Sequence, residues 1–227
     1  MFLIGLTGGI GSGKTSVSSF LRERGIAIID ADLLARKVVE PNTKCWKLIR
    51  EHFGPGAINE DDNQINRQYI AQIIFNDPEK RLLLNRITHP EIQRQTFFKL
   101  LFHFLTFQPF VVMDIPLLFE SSIFKSYMSY VIVVKCTPEQ QLERIKRRNG
   151  YSDEEAQRRI NSQMPIEEKV RLADIVIDNS GDIESTIAQT REVFLGLNFP
   201  LTFWLLRFAV ITIYTLPLIA ILKYLKF

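Results

Sequence analysis

The stretch Phe2-Leu-Ile-Gly-Leu-Thr-Gly8-Gly-Ile-Gly-Ser-Gly13-Lys14-Thr15 decides how the rest of the chain is read. It fits G-x-x-x-x-G-K-[ST], with Gly8, Gly13, Lys14 and Thr15 at the required positions. Glycines let the backbone curl so that successive N–H groups converge on phosphate oxygens, an approach that a β-carbon obstructs. Gly8, Gly9, Ile10, Gly11, Ser12 and Gly13 are the candidate cradle. Lys14 is placed to reach the outer phosphates, and the Thr15 hydroxyl to serve as a magnesium ligand.

The surroundings agree. Phe2 to Leu6 is a short apolar run suited to a buried parallel strand. Thr15 to Arg24 repeats apolar residues at helical spacing until Gly25. A glycine turn without a ligand would have no need of the Lys-Thr ending in a strand–loop–helix frame. The chemistry expected here is nucleotide binding, with ATP and Mg²⁺ as its cofactors.

Outward from this loop, the pattern predicts an α/β fold with a doubly wound parallel sheet. Ile26 to Ile29 reads as a second strand running into Asp30-Ala-Asp32, followed by a helix ending before Pro41. Ligands in open α/β sheets sit beyond the carboxyl ends of strands, where these two carboxylates fall. One of them is expected to cap the helix. The other is a candidate base for an acceptor hydroxyl.

Residues 41–108 interrupt the alternation with helices at Lys44–Phe53, Gln68–Asn76, Glu79–Arg86 and Glu91–Phe107. They are read as an insert in which an acceptor pocket is built. Phe97, Phe98, Leu101, Phe104 and Leu105 form an apolar face expected to be core. His89, before Pro90, is either a pocket contact or a satisfied histidine at a helix start. Phe110 to Asp114 is a further strand, with Asp114 at its end near the expected Mg²⁺. Ile115-Pro-Leu-Leu-Phe-Glu120 follows, then a strand at Tyr130–Val134. Residues 144–165 are crowded with arginines and read as a lid that closes over the nucleotide. Ile175–Asp178 forms the last strand, and Ile183–Leu195 a helix.

Composition bounds the partners. Three of the 28 basic residues, Arg207, Lys223 and Lys226, lie in the acid-free segment 199–227, and the other 25 balance the 25 acids. A neutral body does not indicate a nucleic-acid surface. The only cysteines, Cys45 and Cys136, are far apart and lack metal-ligand spacing, so they read as buried hydrophobes in a reducing, intracellular compartment. Phe199 to Leu222 is almost wholly apolar. It is expected to be a C-terminal hydrophobic helix anchoring the chain to an organelle membrane, mitochondrial or endoplasmic reticulum, with Arg207 snorkelling to the interface. The sequence carries no reading of oligomeric state.

Thr7-Gly-Gly-Ile-Gly-Ser-Gly-Lys14, Asp30-Ala-Asp32, Asp114-Ile-Pro-Leu-Leu-Phe-Glu120 and Val176-Ile-Asp-Asn179, in that order, resemble dephospho-CoA kinases over residues 1–197. The tail at 199–222 resembles membrane-associated animal forms. The resemblance implies a P-loop kinase with a helical acceptor-binding insert (41–108) and a lid (144–165). It implies phosphorylation of the ribose 3′-hydroxyl of dephospho-CoA by ATP. It makes Asp32 the general base, with Lys14, Arg144 and Arg148 acting on the transferring phosphoryl group. It also places Asn179 near the adenine, and Asp30, Arg36, His89 and Glu120 at the acceptor. The rival readings are a nucleoside or nucleoside-monophosphate kinase, which differs only in its acceptor, and a membrane-tethered nucleotide-binding protein without catalysis.

Overall fold

Five short apolar runs make one sheet in a computed structural model that describes residues 1–120, 122–197 and 201–224. The strands are β1 (Phe2–Gly8), β2 (Ile28–Asp30), β3 (Phe110–Asp114), β4 (Tyr130–Lys135) and β5 (Ile175–Asp178), in the order β2-β3-β1-β4-β5. β1 pairs in parallel with β3 and β4, and β4 with β5. Parallel strands covered on both faces carry continuous apolar runs rather than alternation, as Val131–Val134 does.

The helices are α1 (Lys14–Glu23), α2 (Ala31–Lys37), α3 (Lys44–Phe53), α4 (Arg67–Asn76), α5 (Pro78–Leu105), α6 (Ser122–Lys125), α7 (Pro138–Asn149), α8 (Asp153–Asn161), α9 (Ile166–Leu172), α10 (Ile183–Gly196) and α11 (Leu201–Tyr224). Their starts are written locally. Thr43, Asn66 and Asp182 accept N–H groups at the starts of α3, α4 and α10. Thr137 with Gln140, and Ser152 with Glu155, form reciprocal capping boxes at α7 and α8.

The chain divides into two units, Met1–Ile28 with His103–Phe227, and Ile29–Phe102. The core of the first gathers Ile4, Leu6, Val112, Ile132, Val134 and Ile177 from the strands against Val17 and Leu21 of α1. The core of the second is Ile49, Phe53, Ala57 and Ile70, from α3, the Pro55–Ala57 turn and α4. Cys45 and Cys136 are free and buried, and burial pushes both thiols above their ordinary pKa, so they pack as hydrophobes.

Several expectations need correction. The helices read at Glu79–Arg86 and Glu91–Phe107 are one helix, α5, which runs through Pro90. Proline removes one helical N–H and disfavours helix at the preceding residue, so the sequence signals a break that the fold overrides. His89 therefore lies inside a helix and not at a helix start. The apolar face assigned to the core is largely exposed: Phe97, Phe98 and Leu105 all show more than half of their surface. Sequence spacing gives a face, but not what packs on it.

The tail is helical over Leu201–Tyr224, but among the described residues no helix is long and apolar enough to cross a membrane. The spanning anchor is thus not supported, and Phe199 and Pro200 lie outside the described residues. Arg207 does not snorkel. It is 3% exposed, with its guanidinium donating to the carbonyls of His103, Phe104 and Gln108 and stacked over the rings of Phe104 and Phe107.

Candidate nucleotide site

β1 is the middle strand, and the chain leaves it at Gly8 directly into the glycine loop. Register puts Leu6 opposite Asp114 on one side and Gly8 opposite Val134 on the other. The loop tightens through Ser12 N–H to the Gly9 carbonyl, 3.1 Å. Gly13 precedes α1 in the left-handed region, φ 89°, where only glycine sits without strain, and a Cβ there would collide with the Asn179 amide. The loop thus leaves its backbone bare at the start of a ten-residue helix, the geometry that anions seek.

Lys14 forms an ion pair with Asp114, and both side chains are largely buried. The Ser12 hydroxyl is buried and has no hydrogen-bond partner among the described residues. An orphaned hydroxyl inside a backbone cradle is a polar group awaiting an anion. Thr15 is exposed at the first turn of α1.

Asn179, 6% exposed, braces the loop from β5. Its Nδ2 donates to the Ser12 carbonyl (2.8 Å), while its Oδ1 accepts from the Thr186 hydroxyl (2.8 Å). Arg144 on α7 donates to the Ser12 and Asn179 carbonyls at 3.5 and 3.1 Å. Both residues therefore fall at the loop. Arg148 does not join them: it is exposed and bonds Asn149 at 2.9 Å.

Asp178 pairs with Lys135 at 2.9 Å. Its pKa falls to about 2, first through the Ser180 hydrogen bond and then through Lys135. Glu120 bonds the wholly buried Lys169 at 2.8 Å and accepts the Met164 N–H at 3.1 Å. Burial opposes its ionisation, yet these donors outweigh that cost and hold the carboxyl below its ordinary value. Both donors fall on Oε1, which fastens Glu120 to the chain near Met164 and Lys169.

In the second unit, Asp30 is the capping residue of the Asp-Ala-Asp pair, accepting the Leu33 N–H at 2.8 Å. Its Oδ1 is thus committed to the helix cap. Asp32 is exposed on α2 and lines a cavity of about 440 Å³ with Arg36 and Arg67 over an apolar floor including Ile70, Ile74 and Leu84. Arg36 and Arg67 also border a second cavity of about 660 Å³. His89 is half-buried on α5 and is not among the lining residues of either cavity.

A model of the dephospho-CoA kinase family matches residues 2–185. The chain belongs to that family. It is 45% identical over 207 residues to a dephospho-CoA kinase domain-containing protein of Danio rerio, covering 91% of this chain and 90% of that one. It is 47% identical over 187 residues to a dephospho-CoA kinase of Carboxydothermus hydrogenoformans, covering 82% and 90%. A crystal structure from Thermus thermophilus, 32% identical, superposes with a TM-score of 0.75 over 87% of this chain and 98% of its own.

For a kinase of this family, sequence reasoning missed four residues at or beside the loop's supports. Gln141 donates to the Ile10 carbonyl and Gln163 accepts the Ile10 N–H, while Thr186 orients Asn179 and Lys169 neutralises Glu120. Lone glutamines and a lysine in a charged run carry no motif. The one available sign was negative: the positions three and four residues either side of Lys169 are Pro165, Ile166, Leu172 and Ala173, none of them an acid that could pair with it.

Proposed function

We propose that this chain transfers the γ-phosphoryl group of ATP to the ribose 3′-hydroxyl of dephospho-CoA, giving coenzyme A and ADP. The observation that carries the reading is the glycine cradle with its orphaned Ser12 hydroxyl and its Lys14–Asp114 pair, in a chain of the dephospho-CoA kinase family.

The residues fit ATP. The loop supplies N–H donors, and Lys14, paired with Asp114 at the loop, is placed to reach phosphate oxygens. Thr15 and Asp114 are the oxygen ligands that would hold Mg²⁺. No cluster of three His, Cys, Asp or Glu able to cage a metal occurs among the described residues, which suits an ion that keeps waters and shares substrate phosphates. When bound, Mg²⁺ supplies charge neutralisation at the transferring phosphoryl group.

Asp32 is the general base. It orients the 3′-hydroxyl and takes its proton as the new O–P bond forms and the bond to the leaving ADP oxygen breaks. Its place on the wall of a cavity flanked by Arg36 and Arg67 supports this reading, since paired guanidinium groups suit a diphosphate linkage on the acceptor. Arg144 stands at the loop, where it can stabilise developing charge, while segment 144–165, with Arg148, acts as the lid that excludes water.

An acceptor panel tests this. The full chain with Mg²⁺ and radiolabelled ATP is offered dephospho-CoA, adenosine, AMP and UMP. Label is expected only in the CoA product. Transfer to AMP or UMP would reassign the acceptor, and ATP binding without transfer to any of them would remove the catalytic reading.

A further inference from the structure

Both hydrogen-bonding groups of Ile10, in the middle of the phosphate loop, are held by side chains more than 130 residues away in sequence. Its carbonyl accepts from Gln141 Nε2 at 2.7 Å, and its N–H donates to Gln163 Oε1 at 2.8 Å. Gln141 sits on α7 and is 7% exposed. Gln163 lies on the short connection between α8 and α9. Packing at this point is close: a Cβ on Gly9 would stand 2.7 Å from Gln141 Nε2.

The connection is fastened a second time, one residue on. Met164 N–H donates to Glu120 Oε1 at 3.1 Å, and the same oxygen takes the Lys169 ammonium at 2.8 Å. Lys169 is wholly buried and also donates to the Pro116 carbonyl at 3.3 Å. Burying a cation is costly unless it is paired, so this arrangement resists displacement. Adjacent residues thus tie the α8–α9 connection to the phosphate loop and to the segment leaving β3.

We propose that Gln163 is a positioning residue for nucleotide binding. Its acceptor oxygen holds the Ile10 N–H and so fixes the curl of the loop, while the Glu120–Met164 bond keeps Gln163 in place to do so. The shape of the phosphate cradle then depends on the seating of the α8–α9 connection. This rests on reading the loop as the ATP site, but not on the identity of the acceptor.

The test compares the full-length chain with its Gln163→Ala and Gln163→Glu variants, using MgATP titration calorimetry, steady-state kinetics and amide exchange at Ile10. Losing one net hydrogen bond corresponds to about tenfold in affinity, so Gln163→Ala should raise both Kd and KM for ATP by about that factor while kcat stays within about threefold. Exchange at Ile10 should quicken, with β1 amides unchanged. Gln163→Glu keeps the acceptor oxygen, so Ile10 exchange should stay slow. Its carboxylate should weaken ATP binding at low salt and recover part of the loss at high salt.

Gln163→Ala with unaltered ATP affinity overturns the proposal, whatever its amide exchange. Should that variant fail to fold, Gln163→Glu decides: fast amide exchange at Ile10 with unaltered ATP affinity at high salt overturns it. Dephospho-CoA remaining unphosphorylated by a chain that shows the expected ATP effects would defeat the acceptor assignment alone.

Discussion

The phosphate loop and the Asp32 cavity hold their candidate residues in opposite ways. Around the loop, Lys14, Asn179, Arg144 and Gln163 are already bonded to fixed partners, and the backbone itself is the proposed binding surface. Around the cavity, Asp32, Arg36 and Arg67 are exposed side chains on helices above an apolar floor. Phosphate binding by main-chain N–H groups needs one backbone shape, which a neighbouring network can enforce in advance. Acceptor recognition by long side chains requires those groups to be ordered when the ligand arrives, at a cost in rotamer freedom. Mutations should therefore act differently in the two regions.

The largest effect is expected at Lys14. Lys14→Ala should lower kcat by about 10³ or more with the fold intact, because it removes charge aimed at the transferring phosphoryl group; circular dichroism and turnover check this together. Asp32→Asn comes next, with turnover reduced by about 10²–10⁴ and ATP affinity nearly unchanged. Equal losses in turnover and ATP affinity would make Asp32 a support of the loop and erase the contrast between the regions.

Arg36→Ala and Arg67→Ala should each raise the acceptor KM by about tenfold, with smaller changes in kcat and none in ATP KM, as expected for charge-assisted contacts made on binding. A kcat effect without a KM effect would move these arginines from acceptor binding to transfer. The smallest effect concerns acid stability. Asp178 has a folded pKa of about 2 against an ordinary 3.8, so its ionised form stabilises the fold above the higher value. That contribution disappears as pH falls through about 2. Asp178→Asn should lower the urea midpoint at neutral pH and flatten its fall between about pH 4 and pH 2, where the two proteins converge.

How much of this was legible depended on whether a local rule was involved. The loop, the strand ends at Asp30 and Asp114, and the helices Lys44–Phe53 and Ile183–Gly196 follow from glycine spacing, apolar runs and caps, all readable within a few residues. The division of labour between Asp30 and Asp32 was half legible: a helix needed one cap, but only the Leu33 bond says which aspartate supplies it. Gln141, Gln163 and Lys169 were invisible because their meaning comes from partners brought close by folding. Pro90 misled, since a long helix supported elsewhere tolerates a break in its bonding pattern that a short one does not.

Arg207 has a practical consequence for anyone shortening the chain. By composition, the acid-free apolar segment that follows Leu197 looks disposable, and a cut there is the natural way to obtain a more tractable kinase domain. Yet the Arg207 guanidinium helps close the C-terminal end of α5, donating to the His103 and Phe104 carbonyls alongside backbone N–H groups and to the Gln108 carbonyl just beyond the helix. Cutting before Phe199 would uncork that end and strip cover from Phe104 and Phe107, so a trimmed domain that still carries Arg207 should survive heating better than one without it.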